Sequence, residues 1–185
     1  AAFPKVLALG ESPVMEEVDT ALRSAYLRIP AKKGSLDFIS QSYVSMLSPD
    51  GLRQARQYFY DFLKIPIESK ELIVNKNVFD FAYVPLIRLI FPQAKLLHVT
   101  RDHRDTALSL YFQDFAGVRF ADRMEDIVSF IQQYEGLMAH WQQDLQIDML
   151  EVDYESFIVD KSFREKVVRY VGLSWDEDIM SEERW

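Results

Sequence analysis

Cysteine is absent from the 185 residues of this chain, and its absence excludes a disulfide framework, a thiolate zinc site and a cysteine nucleophile. No apolar run approaches the roughly 18 residues of a membrane-spanning helix. The first residues also lack the basic segment and apolar stretch of a secretory signal peptide. We therefore expect a protein of a reducing, cytoplasmic compartment that does not contact membranes.

Basic side chains are in the minority: 21 lysines and arginines are set against 29 aspartates and glutamates, for a net charge of −8. Broad nucleic-acid binding needs a positively charged face, so we expect no nucleic-acid partner. A small anion needs only a few well-aimed cations and a helix N-terminus. An anion site is therefore compatible with this charge, as a local exception.

The three histidines of the sequence do not have the spacing of a metal site, and we expect no bound metal. His98 falls within an apolar strand and is expected to be a core residue. Tyr111, Phe112 and Phe115 occur at helical spacing, which favours core packing over an acceptor pocket.

Apolar side chains make up 49% of the sequence and aromatic ones 14%, enough for a packed core in a single domain. Short apolar runs alternate with helical patterns, which is typical of βαβ units around a parallel sheet. We predict strands at residues 6–9, 71–75, 95–100 and 149–152. We predict helices at residues 13–29, 36–46, 52–63, 79–91, 105–115, 124–145 and 162–171.

This order of elements predicts an α/β fold, with a central parallel sheet of P-loop-like topology flanked by helices. Residues 95–100 form a mostly apolar run rather than a strict alternation, as in strands that are covered on both faces. No internal repeat or interdomain linker is visible. We therefore expect residues 1–185 to belong to one domain.

The strongest chemical signal lies in KLLHVTRDHRDTALSLYFQ, residues 95–113. A strand ends there in a charged turn and a helix begins, and ligands of open α/β folds gather beyond the carboxyl ends of strands. Asp105 is the predicted N-cap of the helix. Arg101 and Ser109 can converge on one anion through a guanidinium and a hydroxyl. Taken singly, an Arg-Asp pair is more often a structural salt bridge, and a helical serine only a small residue.

The run FPQAKLLHVTRDHRDTALSLYFQDF resembles the sulfotransferases that use 3′-phosphoadenosine 5′-phosphosulfate, particularly a bacterial branch often fused to tetratricopeptide repeats and related to tyrosylprotein sulfotransferases. That family has an F-P-x-A-K strand, then R-D-P-R-D, then a serine eight residues after the first arginine. The present chain keeps this spacing, with His103 in place of the usual proline. Three further segments resemble the family: ELIVNKNVFDFAYVPLIRLIFP, QQYEGLMAHWQQDL and LEVDYESFIVDKSFREKVVRYVGLSWDED.

The resemblance implies roles for five residues. Arg101 and Ser109 would bind the 3′-phosphate of the sulfate donor, and Tyr154 would approach its nucleotide. Lys76 would face the transferring sulfuryl group, where a cation stabilises the developing charge. Glu11 would be the catalytic base that takes the proton of the acceptor. Without the resemblance, Lys76 would be interpreted as a solvated lysine, Tyr154 as a strand-end aromatic residue and Glu11 as a structural carboxylate.

One family segment has no counterpart. A loop of the type P-R-S-G-T-T, whose amides hold the 5′-phosphosulfate, occurs nowhere in the sequence. We expect a domain that is incomplete at both ends, in which residues 1–65 form a mostly helical acceptor-side region and residues 71–178 form the core that binds the donor 3′-phosphate. The alternative is a short natural chain that has lost donor binding and serves as an interaction module. A kinase-like P-loop protein is disfavoured, because its Lys-Ser/Thr phosphate loop is missing as well.

The implied activity is transfer of a sulfuryl group from 3′-phosphoadenosine 5′-phosphosulfate to a hydroxyl, phenol or amine of a small molecule or peptide. The resemblance implies no metal for this reaction. Tetratricopeptide repeats outside these residues would be compatible with the bacterial branch.

Overall fold

The computed structural model describes residues 6–27, 47–66, 72–113 and 119–177. The chain forms two compact units, Ala1–Ala94 and Lys95–Trp185, which we call the N-terminal and C-terminal units. Among these described residues, each unit contains one pair of parallel strands together with helices. The mixed α/β character is therefore confirmed, whereas a single central sheet and a single domain stay predictions. The expected helix at residues 36–46 lies outside the described residues.

The N-terminal unit is built on parallel pairing of β1 (Val6–Ala8) with β2 (Leu72–Val74). Its helices are α1 (Val14–Leu27), α2 (Pro49–Leu63), a 3₁₀ helix (Val78–Tyr83) and α3 (Val84–Ile90). The three α-helices share one apolar core, whose fully buried members are Val14, Val18, Leu86 and Ile90. Full burial of each such side chain stabilises the unit by about 1.5–3 kcal/mol.

Local chemistry sets the ends of α2, which begins three residues earlier than the predicted start. Ser48 is its N-cap and accepts a hydrogen bond from the backbone N–H of Gly51 at 3.1 Å, while Pro49 occupies the first turn, where no N–H is needed. Lys64 closes the helix in the left-handed conformation, with φ of 55°. These caps satisfy backbone groups that a helix end leaves open.

The continuous helix predicted at residues 79–91 is wrong. The segment divides into the 3₁₀ helix Val78–Tyr83 and the α-helix α3, Val84–Ile90, with Pro85 in the first turn of α3. Proline lacks an N–H and clashes with the carbonyl four residues earlier, so it is tolerated at a helix start but not in a helix interior. Pro85 therefore begins a helix here instead of continuing one.

The C-terminal unit is built on parallel pairing of β3 (Leu97–Thr100) with β4 (Leu150–Asp153). Its α-helices are α4 (His103–Phe112), α5 (Met124–Ala139), α6 (Tyr154–Val159) and α7 (Lys161–Tyr170). A 3₁₀ helix, Arg119–Asp122, precedes α5. The strands predicted at residues 95–100 and 149–152 and the helix predicted at 162–171 are thus confirmed to within two residues.

The long helix predicted at residues 124–145 changes its hydrogen bonding before its end. After α5 the chain forms a π-helical turn, His140–Asp144, in which the N–H of Leu145 bonds the carbonyl of His140 at 3.1 Å. Gln146 then adopts a φ of 51°. A left-handed residue cannot continue a right-handed helix, so the chain leaves the helix there and turns toward β4.

The expectation that residues 95–100 form a strand covered on both faces is wrong for the described residues. Leu97 and Val99 are 41% and 57% exposed, and both lie on one face of β3. The other face is polar: Nδ1 of His98 lies 2.7 Å from Oε1 of Glu151, its partner across the sheet, and Nε2 contacts the hydroxyl of Tyr134. Burial raises the pKa of Tyr134 to about 12.

Within the described ranges, no helix combines the length and apolar character that crossing a bilayer requires.

Candidate functional site

Glu11 and Lys76 lie at the same edge of the N-terminal sheet, because each follows the end of one of two parallel strands. The ladder continues past both strands: the N–H of Leu9 donates to Val74 at 2.8 Å and the N–H of Lys76 to Gly10 at 2.9 Å. Gly10 has a φ of 66°, a left-handed conformation that glycine adopts without a steric penalty. The backbone thus turns Glu11 toward Lys76.

The Nζ of Lys76 donates a hydrogen bond to Oε1 of Glu11. Both side chains are mostly exposed, 70% for lysine and 63% for glutamate. An exposed ion pair contributes at most about 1 kcal/mol to stability. The pair therefore adds little to the stability of the fold, but it places a cation and a carboxylate together on an open surface, where both are available for chemistry.

Asp80, a half-buried carboxyl four residues after Lys76, was missed by the sequence reasoning. Burial raises the pKa of Asp80 to about 6, partly offset by the hydrogen bond that Asn75 donates to it at 2.7 Å. An acidic residue two positions into a helix is normally interpreted as a partner for the helix dipole. Only the tertiary structure shows that this one is half-buried.

Arg101 directly follows β3 in the C-terminal unit, where the anion site is predicted. Its guanidinium is 44% exposed and makes two loose ion pairs, 3.7 Å to Asp105 and 3.9 Å to Glu155. The ring centroid of Tyr154 lies 5.4 Å from its Cζ, within the range of a cation–π contact. Since neither carboxylate is at hydrogen-bond distance, the donors of Arg101 remain available for a closer anion.

The N-cap of α4 is Asp102 and not Asp105, so that prediction is wrong. The carboxylate of Asp102 accepts hydrogen bonds from the backbone N–H groups of Arg104 at 2.8 Å and Asp105 at 3.4 Å. The Arg104 side chain and these amides hold the pKa of Asp102 well below its usual range. The helix therefore begins at His103, and Asp105 is left to approach Arg101.

Ser109 is half-buried on α4, and its hydroxyl accepts a hydrogen bond from Nε2 of Gln113 at 3.4 Å. It follows Asp105 by four residues, and residues so spaced share one helix face. Because Asp105 is paired with Arg101, the arginine, the aspartate and the serine follow one side of α4. Convergence of Arg101 and Ser109 on one anion agrees with this arrangement and stays a prediction.

Tyr154 begins α6, immediately after β4. Asp153 caps this helix by accepting from the N–H of Ser156 at 2.8 Å, and the serine holds the pKa of Asp153 below its usual range. The Tyr154 ring is 43% exposed and contacts the Arg101 guanidinium. The structure thus brings together two of the three predicted donor-binding residues, and adds Glu155, which the sequence reasoning did not single out.

The aromatic residues at the end of α4 are not core residues. Tyr111 and Phe112 are 49% and 78% exposed, and their rings meet edge to face with centroids 5.7 Å apart. The expectation of core packing is therefore wrong for these two residues, since the last turn of α4 is open to solvent. Phe115 lies outside the described residues.

The described part of the chain contains no group of three or more histidine and acidic side chains that could hold a metal ion. The polar groups of both strand-end regions are a lysine, an arginine, carboxylates and hydroxyls. The lysine, the arginine and the hydroxyls can donate hydrogen bonds to an anionic ligand, those of the two cations being charge-assisted.

Comparisons with known proteins agree with this chemistry. A model described as "Sulfotransferase family" matches residues 2–177. The chain is also 30% identical over 137 residues to an uncharacterized protein of Aquifex aeolicus (strain VF5), an alignment that covers 70% of this chain and 18% of the relative. The chain thus spans about a fifth of the length of that relative. The match to nearly the whole chain shows that this protein belongs to the sulfotransferase family.

Proposed function

We propose that this chain carries the donor 3′-phosphate site and the catalytic pair of a sulfotransferase. The proposed reaction moves a sulfuryl group from 3′-phosphoadenosine 5′-phosphosulfate to a hydroxyl, phenol or amine acceptor. The observation that carries the proposal is the environment of Arg101. Its half-exposed guanidinium lies at a strand end, its nearest carboxylate among the described residues is 3.7 Å away, and an aromatic ring lies beside it.

The proposed donor site uses three residues in distinct ways. Arg101 supplies charge and paired N–H donors to the 3′-phosphate. Ser109, on the same side of α4, adds a hydroxyl donor. Tyr154, whose ring already contacts the guanidinium, offers an apolar surface to the nucleoside. A cation, a hydroxyl and an exposed aromatic ring fit a phosphate linked to a nucleoside better than they fit an inorganic anion.

The proposed chemistry is an in-line displacement at sulfur. The acceptor oxygen or nitrogen attacks sulfur, the bond from sulfur to the bridging phosphate oxygen breaks, and adenosine 3′,5′-bisphosphate leaves. Glu11 takes the proton of the acceptor as general base. The Lys76 ammonium, which contacts Glu11, stabilises the negative charge that grows on the bridging oxygen. This scheme assigns no step to a metal ion.

We also propose that the protein acts in the cytoplasm on a small-molecule or peptide acceptor, as part of a longer chain of the bacterial branch that carries tetratricopeptide repeats. Support comes from the motif spacing in residues 95–113 and from the relative, most of whose length lies outside the matched part. The sequence contains no P-R-S-G-T-T loop, so the proposal assigns the 5′-phosphosulfate contacts to residues outside this chain.

Calorimetric titration with two nucleotides tests the proposed donor site. Adenosine 3′,5′-bisphosphate and adenosine 5′-monophosphate differ only in the 3′-phosphate that Arg101 and Ser109 would bind. We expect the bisphosphate to bind at least about tenfold more tightly, because one charged hydrogen-bonded contact contributes about 1.5–3 kcal/mol. Equal affinities, or no binding of either nucleotide, would contradict the proposal and favour an interaction module that has lost donor binding.

A further inference from the structure

The backbone carbonyl of Ser12, next to Glu11, accepts hydrogen bonds from two side-chain amides. The Nδ2 of Asn75 donates to it at 3.1 Å and the Nδ2 of Asn77 at 3.2 Å. These asparagines flank Lys76 on either side in the sequence. The residue after Glu11 is therefore bonded to both neighbours of Lys76.

On the other side of Glu11, the carbonyl of Gly10 accepts the N–H of Lys76 at 2.9 Å. The three-residue segment from Gly10 to Ser12 is thus attached at both ends to the segment that carries Lys76. Glu11 and Lys76 lie between these attachments. Such bracketing matters, because two long and exposed side chains do not stay in one geometry through their own ion pair, which is worth at most about 1 kcal/mol.

The amide of Asn75 can bond only in one orientation. Its Nδ2 faces two acceptors, the Ser12 carbonyl and Oδ2 of Asp80 at 2.7 Å. Its Oδ1 is buried and has no hydrogen-bond partner among the described residues. Turning the amide over would place an oxygen against both acceptors. A buried unpaired acceptor lowers stability. The observed orientation leaves Oδ1 of Asn75 unpaired in exchange for hydrogen bonds from its Nδ2 to both acceptors.

We propose that Asn75 and Asn77 are positioning residues that hold Glu11 against Lys76, and that Asp80 fixes the orientation of the Asn75 amide. The inference rests on the proposed function only for the chemical roles of Glu11 and Lys76; the geometric claim stands on the hydrogen bonds alone. Asn75 contributes more to this positioning than Asn77, because a second acceptor, Asp80, holds its amide. Asn77 also caps the following 3₁₀ helix by accepting a hydrogen bond from the N–H of Phe79 at 3.0 Å.

Carbodiimide cross-linking of the purified chain measures this geometry directly. The reagent joins a carboxylate and an amine in contact as an amide and takes up the released water as a urea. The Glu11–Lys76 cross-link is quantified by peptide mass spectrometry. Its internal reference is the Lys161–Glu177 cross-link of the C-terminal unit, an exposed pair of 2.5 Å with similar side-chain exposure. No sulfate donor is needed, so the result is independent of whether the chain binds the bisphosphate.

Three variants separate positioning from folding. Asn75→Leu keeps the branching pattern of the Asn75 side chain and removes its donors. Asn77→Ser keeps a good cap but is too short to reach the Ser12 carbonyl. The exchange Asn75→Asp with Asp80→Asn preserves a hydrogen bond between these two positions while leaving Ser12 without the Asn75 donor.

We expect the yield of the Glu11–Lys76 cross-link, divided by that of the Lys161–Glu177 reference, to fall about three- to fivefold in Asn75→Leu and in the exchange variant. The decrease in Asn77→Ser should be smaller. We expect thermal melting curves, recorded by circular dichroism, to show that Asn77→Ser and the exchange variant are folded. These two variants therefore test the proposal even if Asn75→Leu does not fold. An unchanged ratio in both folded variants, or full recovery of the ratio in the exchange variant, would overturn the proposal.

Discussion

The two units of this protein hold their key cations in opposite ways. In the N-terminal unit, Lys76 contacts Glu11, and the backbone around the pair is attached on both sides. In the C-terminal unit, the carboxylate partners of Arg101 in the described part of the chain are loose, at 3.7 Å and 3.9 Å. The first arrangement is a closed ion pair, and the second is a cation with loosely placed carboxylates. The proposed function assigns catalysis to the first arrangement and donor binding to the second.

The carboxyl groups of the two units differ as well. Burial raises the pKa of Asp80 in the N-terminal unit, whereas hydrogen bonds from helix amides and serine lower the pKa values of the exposed N-cap residues Asp153 and Asp160 in the C-terminal unit. The contributions of these groups to the stability of their units should therefore change in opposite directions as the pH falls. Variants confined to one unit test both differences.

The largest effect is expected from the cation of the assembled pair. Lys76→Ala should lower turnover of radiolabelled donor about 10²- to 10³-fold, because it removes the charge that stabilises the leaving oxygen, while the affinity for adenosine 3′,5′-bisphosphate changes little. Lys64→Ala is the matched control, since Lys64 is an exposed lysine of the same unit that ends α2. Turnover is measured in a form of the protein that has detectable transfer activity. Equal losses in both variants would remove Lys76 from the mechanism.

Asp80 should make the N-terminal unit less stable as the pH rises from about 4 to about 6. Its folded pKa of about 6 lies above the ordinary value of 3.8, so the folded state binds the proton more tightly, and this advantage is lost across that interval. The expected decrease in unfolding free energy is about 2–3 kcal/mol. Hydrogen exchange of core amides such as those of Leu86 and Ile90 measures this free energy. In Asp80→Asn, its decrease between about pH 4 and about pH 6 should disappear. A decrease that persists in Asp80→Asn would assign it to other groups.

Asp160 should give the C-terminal unit the opposite response. It caps α7 by accepting from the N–H groups of Ser162 at 2.8 Å and Phe163 at 3.3 Å. Because its pKa lies below 3.8 in the folded state, its stabilisation is present at neutral pH and is lost as the pH falls below about 4. Asp160→Asn keeps a cap but cannot titrate, so hydrogen exchange of Val167 and Val168 in this variant should lose part of its acid sensitivity. No difference from the wild type would contradict this assignment.

The smallest effect is expected from Glu155, which competes for the Arg101 guanidinium at 3.9 Å. Glu155→Gln should strengthen binding of adenosine 3′,5′-bisphosphate about two- to fourfold, in line with the modest worth of an exposed ion pair. The gain should shrink at high salt because the repulsion between Glu155 and the phosphate is screened. Weaker binding in this variant would instead show that Glu155 orients Arg101 for the phosphate.

The sequence predicted the strands because short apolar runs between helical patterns are a strong local signal. The spacing of Arg101 and Ser109 is also local; the structure places Arg101 just before α4 and Ser109 within it, and their convergence on one anion stays a prediction. The broken helix around Pro85 was readable from the same information, since proline in a helix interior is a known break. Asp102 and Asp105 are equally good caps by residue type, so only the backbone geometry decides between them.

Other features depend on contacts that no local pattern encodes. The bonds from Asn75 and Asn77 to Ser12 span more than sixty positions of the chain and form only once β1 and β2 pair. The burial of Asp80 and the exposure of Phe112 depend in the same way on which elements cover them. Side chains that position other side chains are for this reason the hardest part of a site to predict from sequence.

The central claim, that Arg101 binds the 3′-phosphate, is tested most directly by calorimetric titration of adenosine 3′,5′-bisphosphate into three proteins. These are the wild type, Arg101→Ala and Arg104→Ala, where Arg104 is 89% exposed and pairs with Asp102. We predict that Arg101→Ala weakens binding about ten- to hundredfold and that Arg104→Ala stays within about twofold of the wild type. Equal affinities for all three proteins, or a larger loss in Arg104→Ala, would contradict the account.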